Sequence, residues 1–149
     1  MKVSFVAGFG PIVRDIEISR AFWEEGIGVK LDEPVPGYFT NDALEGINAF
    51  ALWPLEQAAE SCFGTDAWPG DIPVPAAWLE FDVESPEAVA PAAAEMEHGG
   101  HRLLKETTLE PWGQTVARLL SPEGILVGIA FTPWMHKPAL ATPPAAEAQ

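Results

Sequence analysis

Residues 110–129, EPWGQTVARLLSPEGILVGI, carry the pattern that decides the fold. Two runs that favour β-strands flank the tetrapeptide SPEG at 121–124, a turn sequence with proline early and glycine last. The second run is apolar except for Gly128, and a glycine inside a strand often marks a bulge or the close approach of a ligand or another segment. The stretch therefore predicts a β-hairpin that lacks a side chain at one interior position.

The N-terminal part of the chain predicts a βαβββ module at residues 1–63. Asp15 precedes a run of apolar residues with helical spacing that stops near Gly26, which predicts the helix of this module. A short helix is also predicted at 55–62. The predicted strands are residues 3–9 (ended by Gly10-Pro11), 28–31, 38–40 and 47–53.

The C-terminal part predicts the same order of elements at residues 76–136. It follows a Gly- and Pro-rich linker at 64–75, GTDAWPGDIPVP. A strand at 77–83 leads to Ser85, a predicted N-cap, and to a helix that ends at Gly99-Gly100. Residues 101–105 and the hairpin supply three more strands. Residues 137–149, KPALATPPAAEAQ, are predicted to form a disordered Pro/Ala-rich tail.

Composition limits the possible partners. The chain has 149 residues, of which 48% are hydrophobic, enough for one packed globule. Eight Lys and Arg against 22 Asp and Glu give a formal net charge of -14, which argues against nucleic acid because phosphate binding needs a basic face. The acidity indicates either a well-solvated surface or attraction of a cationic ligand, and the sequence leaves both readings open.

Three features predict a cytoplasmic protein without a membrane partner. No stretch reaches the roughly 18 uninterrupted apolar residues of a membrane span. The N-terminus, MKVSF, does not lead into the apolar stretch and cleavage site of a signal peptide. The single cysteine, Cys62, excludes an internal disulfide and is typical of a reducing compartment.

Four segments, at 13–29 (VRDIEISRAFWEEGIGV), 47–58 (INAFALWPLEQA), 77–89 (AWLEFDVESPEAV) and 111–129 (PWGQTVARLLSPEGILVGI), carry a family resemblance in their order and spacing. They resemble the vicinal oxygen chelate superfamily of glyoxalases, extradiol dioxygenases and bleomycin-resistance proteins, over roughly residues 3–132. The resemblance implies an α+β fold: two βαβββ modules form a curled mixed sheet around a cleft, with helices on the outer face. It also implies a homodimer.

Metal-dependent members of this superfamily carry four His, Glu or Gln ligands on the cleft faces of the first and fourth strands of each module. Carried over by position, these ligands fall on Gly8, Ala51, Trp78 and Gly128, none of which can bind a metal. Shifting the positions by one residue yields only apolar side chains. Because these four residues occupy the ligand positions that the resemblance implies, we expect no metal and no cofactor. Gly128 stands where a metal enzyme would carry a carboxylate.

Strand alternation sorts further residues by face. The positions predicted to share the cleft face with those four are Ala49, Trp53, Glu80, Asp82 and Arg118. The positions predicted to face the helices are Phe50, Leu52, Leu79, Phe81, Leu119 and Val127. The small residues are expected to leave room in the cleft. Asp82, near the end of its strand, is expected to lie in solvent.

The cleft set predicts a site for a small molecule. Trp53 and Trp78 offer flat walls, and Trp112 and Trp134 are expected near the rim, an arrangement typical of small-molecule pockets, although the tryptophans could also simply fill the core. Glu80 and Arg118 either pair with each other or orient a polar ligand.

We expect a metal-independent protein of the bleomycin-resistance type that sequesters an aromatic or cationic compound. One alternative is an enzyme with Glu80 as general acid or base and Arg118 steadying a developing anion. Another is a ligand-sensing or purely structural module.

Overall fold

The structure, a computed structural model, describes residues 1–136. The predicted tail at 137–149 lies outside the described residues. The strands are β1 (Val3–Val13), β2 (Asp32–Val35), β3 (Tyr38–Asn41), β4 (Phe50–Pro54), β5 (Ala77–Val83), β6 (Leu103–Leu109), β7 (Thr115–Leu120) and β8 (Leu126–Phe131). The helices are α1 (Ile16–Arg20, continued as π-helix over Ala21–Ile27), α2 (Leu55–Phe63) and α3 (Val89–His98), with short 3₁₀ turns at Pro86–Ala88 and Pro133–Met135.

All eight strands form one mixed sheet in the order β2-β3-β4-β1-β5-β8-β7-β6. Within each half the first strand pairs in parallel with the fourth, β1 with β4 and β5 with β8. The halves meet at the antiparallel pair of β1 and β5. The predicted α+β fold is therefore confirmed, and its two βαβββ modules pair within one chain.

Local signals explain most element ends, with three corrections. Asp15 caps α1 as predicted, since its carboxylate accepts hydrogen bonds from the backbone N–H groups of Glu17 and Ile18. The strand predicted at 28–31 is wrong: that stretch links α1 to β2, which starts at Asp32. Strand β1 continues through Gly10-Pro11 to Val13, because Pro11 follows a residue that is already extended. Ser85 makes no side-chain cap bond, and a 3₁₀ turn opens the second helix instead.

Two apolar clusters cover the outer face of the sheet. Phe50 and Leu52 pack with side chains of α1, and Leu119 packs with side chains of α3, so their predicted orientation toward the helices is confirmed. Among the described residues, no helix has both the length and the apolar character needed to cross a membrane.

A third cluster lies on the concave face, where helix α2 closes one end of the cleft. Ala58 and Cys62 of α2 belong to the same buried cluster as Trp53 and Trp78. Polar contacts fasten the same helix to β6 and the loop after it: the Ser61 hydroxyl donates to Glu110 at 2.6 Å, and Lys105 Nζ lies 3.5 Å from the same carboxylate. These contacts hold α2 in place at that end of the cleft.

Candidate functional site

The centre of the concave face is a row of paired residues across the sheet. Gly8 pairs with Glu80, and Glu80 pairs with Gly128. Gly128 in turn pairs with Arg118. Directly paired residues of neighbouring strands point to the same face. The carboxylate of Glu80 therefore has a glycine on either side of it.

The missing side chain at Gly128 makes room for Glu80. A Cβ at position 128 would lie 2.6 Å from Glu80 Cγ, so the Glu80 side chain occupies the space above β8 and reaches β7. There its Oε2 accepts a hydrogen bond from Arg118 Nη1 at 2.6 Å. A carboxylate does lie over Gly128, but it comes from the neighbouring strand.

The ion pair is buried, and both carboxylate oxygens of Glu80 accept hydrogen bonds. The Arg118 side chain is 1% exposed, and its guanidinium lies 4.7 Å from the centre of the Trp53 ring. The other carboxylate oxygen of Glu80 accepts from Gln114 Nε2 at 2.8 Å. Glu80 and Arg118 thus pair with each other, as the first of the two readings expected, and a role for them in orienting a ligand stays a prediction. Arg118 Nε is buried without a hydrogen-bond partner among the described residues.

Trp78 fills the space that small residues were expected to leave open. A Cβ at Gly8 would lie 2.6 Å from Trp78 Cη2, which means that the indole rests directly on the glycine. The indole N–H donates to the backbone oxygen of Ala51 at 3.1 Å, and the ring meets Trp53 edge-on at 6.2 Å. Trp78 is only 5% exposed. The expectation of room is therefore wrong above Ala51 and Gly128, which do not line the cleft, and Trp78 takes part of the space above Gly8.

Asp82 was expected in solvent, and that expectation is wrong as well. Its side chain is fully buried because the chain after β8 folds back over it. It accepts from the Thr132 backbone N–H at 2.6 Å and from the Thr132 hydroxyl at 2.9 Å, and His136 Nε2 lies 2.7 Å from it. Asp82 thereby fastens both ends of the turn that carries Trp134 and Met135 into the cleft.

Gln114 links these groups. Its Nε2 donates both to Glu80 and, at 2.9 Å, to the hydroxyl of Thr132. Its oxygen accepts from the indole N–H of Trp112 at 3.0 Å. A continuous hydrogen-bonded chain thus connects the ion pair, the rim and the buried Asp82.

The cleft encloses about 440 Å³. We call its central part the floor, made of Trp53, Trp78, Glu80 and Arg118. The first-module wall comprises Tyr38, Thr40 and Asp42, and the second-module wall comprises Trp112, Gln114, Thr132 and Trp134. The floor tryptophans are buried, whereas Trp112 is 51% exposed and Trp134 is 60% exposed.

Sequence reasoning placed eight residues that do line this cleft: Gly8, Ala49, Trp53, Trp78, Glu80, Trp112, Arg118 and Trp134. Ala51 and Gly128 lie beneath Trp78 and Glu80 instead of lining it. The first-module wall was missed, although its residues alternate along β3 and just beyond. Because Thr40 pairs with Ala51, that alternation could have placed them on the cleft face.

Burial controls two titratable groups near the floor. Burial, and then the negative charges of Glu80 and Asp42, raise the pKa of Tyr38 well above its ordinary value. Burial also raises the pKa of Cys62 to about 11. At neutral pH the Tyr38 hydroxyl is thus a hydrogen-bond donor at the cleft wall, and the Cys62 thiol is protonated and a poor nucleophile.

The residues present do not fit the divalent metal of the metal-dependent superfamily members. Gly8, Ala51, Trp78 and Gly128 have no ligand atoms in their side chains, and both oxygens of Glu80 already accept from Arg118 and Gln114. Within residues 1–136, no three His, Cys, Asp or Glu side chains are grouped so that they could hold a metal ion.

Comparisons with known proteins find similarity at the level of structure. No protein-family model matches the sequence, and no curated protein matches it significantly. A glyoxalase/bleomycin resistance protein/dioxygenase superfamily member from Vibrio splendidus 12B01 superimposes with a TM-score of 0.53 at 16% identity, covering 88% of this chain and 100% of that one.

Two other solved structures are similar to the same degree. A variant of methylmalonyl-CoA epimerase from Streptomyces coelicolor, in complex with 2-nitronate-propionyl-CoA, gives a TM-score of 0.55 at 16% identity, covering 89% of this chain and 99% of that one. A Legionella pneumophila protein described as an NAD-dependent benzaldehyde dehydrogenase gives 0.56 at 15% identity, covering 83% and 96%. At such low identity these likenesses establish the fold alone. The chain has the fold of the vicinal oxygen chelate superfamily, which its sequence resembles.

Proposed function

We propose that this chain is a metal-independent binding protein that sequesters a small aromatic or cationic compound in its cleft, in the manner of bleomycin-resistance proteins. The observation that carries the proposal is the combination of an aromatic cleft of about 440 Å³ with a central carboxylate whose two oxygens are both engaged. Such a site offers flat apolar surface and a few fixed polar groups, as small-molecule sites do. The single cysteine is compatible with action in the cytoplasm.

The engaged carboxylate also favours binding over catalysis. A general base must reach the proton that it removes. Glu80 would first have to break its hydrogen bond with Arg118 or Gln114. Breaking the bond with Arg118 would leave the buried guanidinium cation without its partner. The enzyme alternative with Glu80 as acid or base therefore needs a rearrangement that the binding function does not need.

Replacing Trp134 with alanine is expected to weaken binding of a flat aromatic compound about tenfold. The ring is 60% exposed at the rim, so it has surface to give to a ligand, and an aromatic contact contributes about 0.5–1.5 kcal/mol beyond the area it buries. The measurement is quenching of tryptophan fluorescence across a panel of intercalating and glycopeptide antibiotics. Trp78→Ala is unsuitable, because Trp78 is core as well as floor and its loss would destabilise the fold.

Trp23→Ala is the matched control, since Trp23 packs against Phe50 on the opposite face of the sheet. It should leave the affinity unchanged. The proposal would be overturned if no member of the panel showed saturable binding, or if a bound compound were recovered chemically altered.

The homodimer implied by the resemblance remains a prediction. Helix α1 and its continuation expose Ile18, Phe22 and Ile27, each more than half accessible, and a second copy would remove such apolar surface from water. Light scattering at micromolar concentration is expected to give about twice the chain mass of 16.1 kDa. A monomer under these conditions would contradict the prediction.

A further inference from the structure

The charges in the cleft do not balance. Of the described residues that line it, three are formally charged at pH 7: Asp42, Glu80 and Arg118. Glu80 and Arg118 neutralise each other at 2.6 Å. Asp42 accepts one side-chain hydrogen bond, from the Thr40 hydroxyl at 2.9 Å, and no Lys or Arg within residues 1–136 pairs with it. One uncompensated negative charge is left, and it lies on Asp42.

The position of Asp42 gives this charge access to a ligand. Asp42 is exposed and directly follows β3, on the first-module wall. It lines both the cleft and a neighbouring groove formed by residues 5–6 and 43–48. The Thr40 hydroxyl holds one carboxylate oxygen and thereby orients the group.

The second-module wall supplies the complementary feature. Trp112 and Trp134 present half-exposed indoles there. The two walls come from opposite arms of the curled sheet, since β3 is near one end of the strand order and β7 and β8 are near the other. Indole faces and a carboxylate around one opening are the two elements that recognise a cation attached to an aromatic ring.

We propose that the ligand is a flat aromatic compound that carries a positive charge on its ring or on a substituent. Its ring stacks on the indoles of the second-module wall, and its positive charge contacts Asp42. This inference rests on the proposed binding function of the cleft and specifies its ligand class. Glu80 is not the cation site, because Arg118 already neutralises it. The net charge of -14 adds long-range attraction for such a ligand.

A matched pair of probes tests the charge separately from the ring. 10-Methylacridinium is a permanent cation, and acridine has the same ring system but is neutral at mildly alkaline pH. In calorimetric titrations the wild-type chain is expected to bind the cation more tightly than acridine. Asp42→Asn should weaken binding of the cation roughly fivefold and flatten its dependence on salt, while acridine binding stays the same.

Asp66→Asn is the control for charge alone, because Asp66 is an exposed acid of the segment between the modules that does not line the cleft. It should change neither affinity. If both probes bind and are both weakened by Trp134→Ala, but Asp42→Asn changes neither, the inference is overturned and the proposed function stands. An equal loss in Asp42→Asn and Asp66→Asn would also overturn it. If neither probe binds the wild-type chain, the inference fails, and the proposed function is then judged by the antibiotic panel.

Discussion

Replacing Arg118 with methionine is expected to lower the free energy of unfolding by about 3–5 kcal/mol. The substitution would leave Glu80 as a buried carboxylate without its cation, still bonded only to Gln114. It would also remove the guanidinium from the face of Trp53. Urea denaturation at neutral pH, followed by tryptophan fluorescence, measures the change.

Two companion variants make this result specific. Arg14→Met removes the same charge from an exposed position and should change stability by less than about 0.5 kcal/mol. The double variant Glu80→Leu with Arg118→Met should recover most of the loss, since a buried pair can be replaced by apolar residues of similar volume at little cost. A single variant as stable as the wild type would show that the pair contributes nothing to the fold.

Replacing Gly10 with alanine is expected to cost about 3 kcal/mol or more. A Cβ at this position would lie 1.9 Å from the backbone oxygen of Ala51 and 2.9 Å from Trp78 Nε1. The first of these atoms belongs to the backbone of β4, so it cannot rotate away as a side chain could. Strands β1 and β4 would have to move apart, and the hydrogen bond from Trp78 to Ala51 would be strained with them.

Gly70→Ala provides the comparison. A Cβ there meets no atom within 4 Å, so the substitution should change stability by less than about 0.5 kcal/mol. Thermal and urea unfolding of the two variants, side by side, measure the difference. Similar stability in both would mean that β1 and β4 are packed more loosely than the structure describes.

The order of the strands and helices could be predicted because its signals are local, whereas the arrangement of the sheet around a cleft was implied by the family resemblance. The cap at Asp15 and the turn at 121–124 lie within a few residues of the elements that they delimit. The strand predicted at 28–31 is wrong, because Val29 and Leu31 are apolar without belonging to a strand. Both pack into the cluster beneath α1 as part of a connecting segment, and apolar character alone does not distinguish such a segment from a strand.

The site was predictable only as far as strand alternation reaches. Alternation placed Glu80 and Arg118 on one face, but the cost of leaving charges buried alone could be met by each other or by a ligand, and only the structure shows their pairing. The burial of Asp82 could not be found this way. The groups that cover it, Thr132 and His136, lie 50 and 54 residues further along the chain. Whether the end of a strand is exposed to solvent depends on whether a segment distant in sequence packs over it.

The occupied space above Gly128 determines how many residues would have to change for this cleft to gain a metal ligand there. Introducing a carboxylate at position 128 by one substitution would drive it into Glu80, whose Cγ already lies 2.6 Å from the position of a Cβ there. Removing Glu80 first would strand the cation of Arg118 in the interior. Each single step is therefore disfavoured until another has been taken. In evolutionary terms the two states are separated by epistasis: several residues must change together, and a lineage that has reached the arrangement seen here has no easy stepwise route to a metal site.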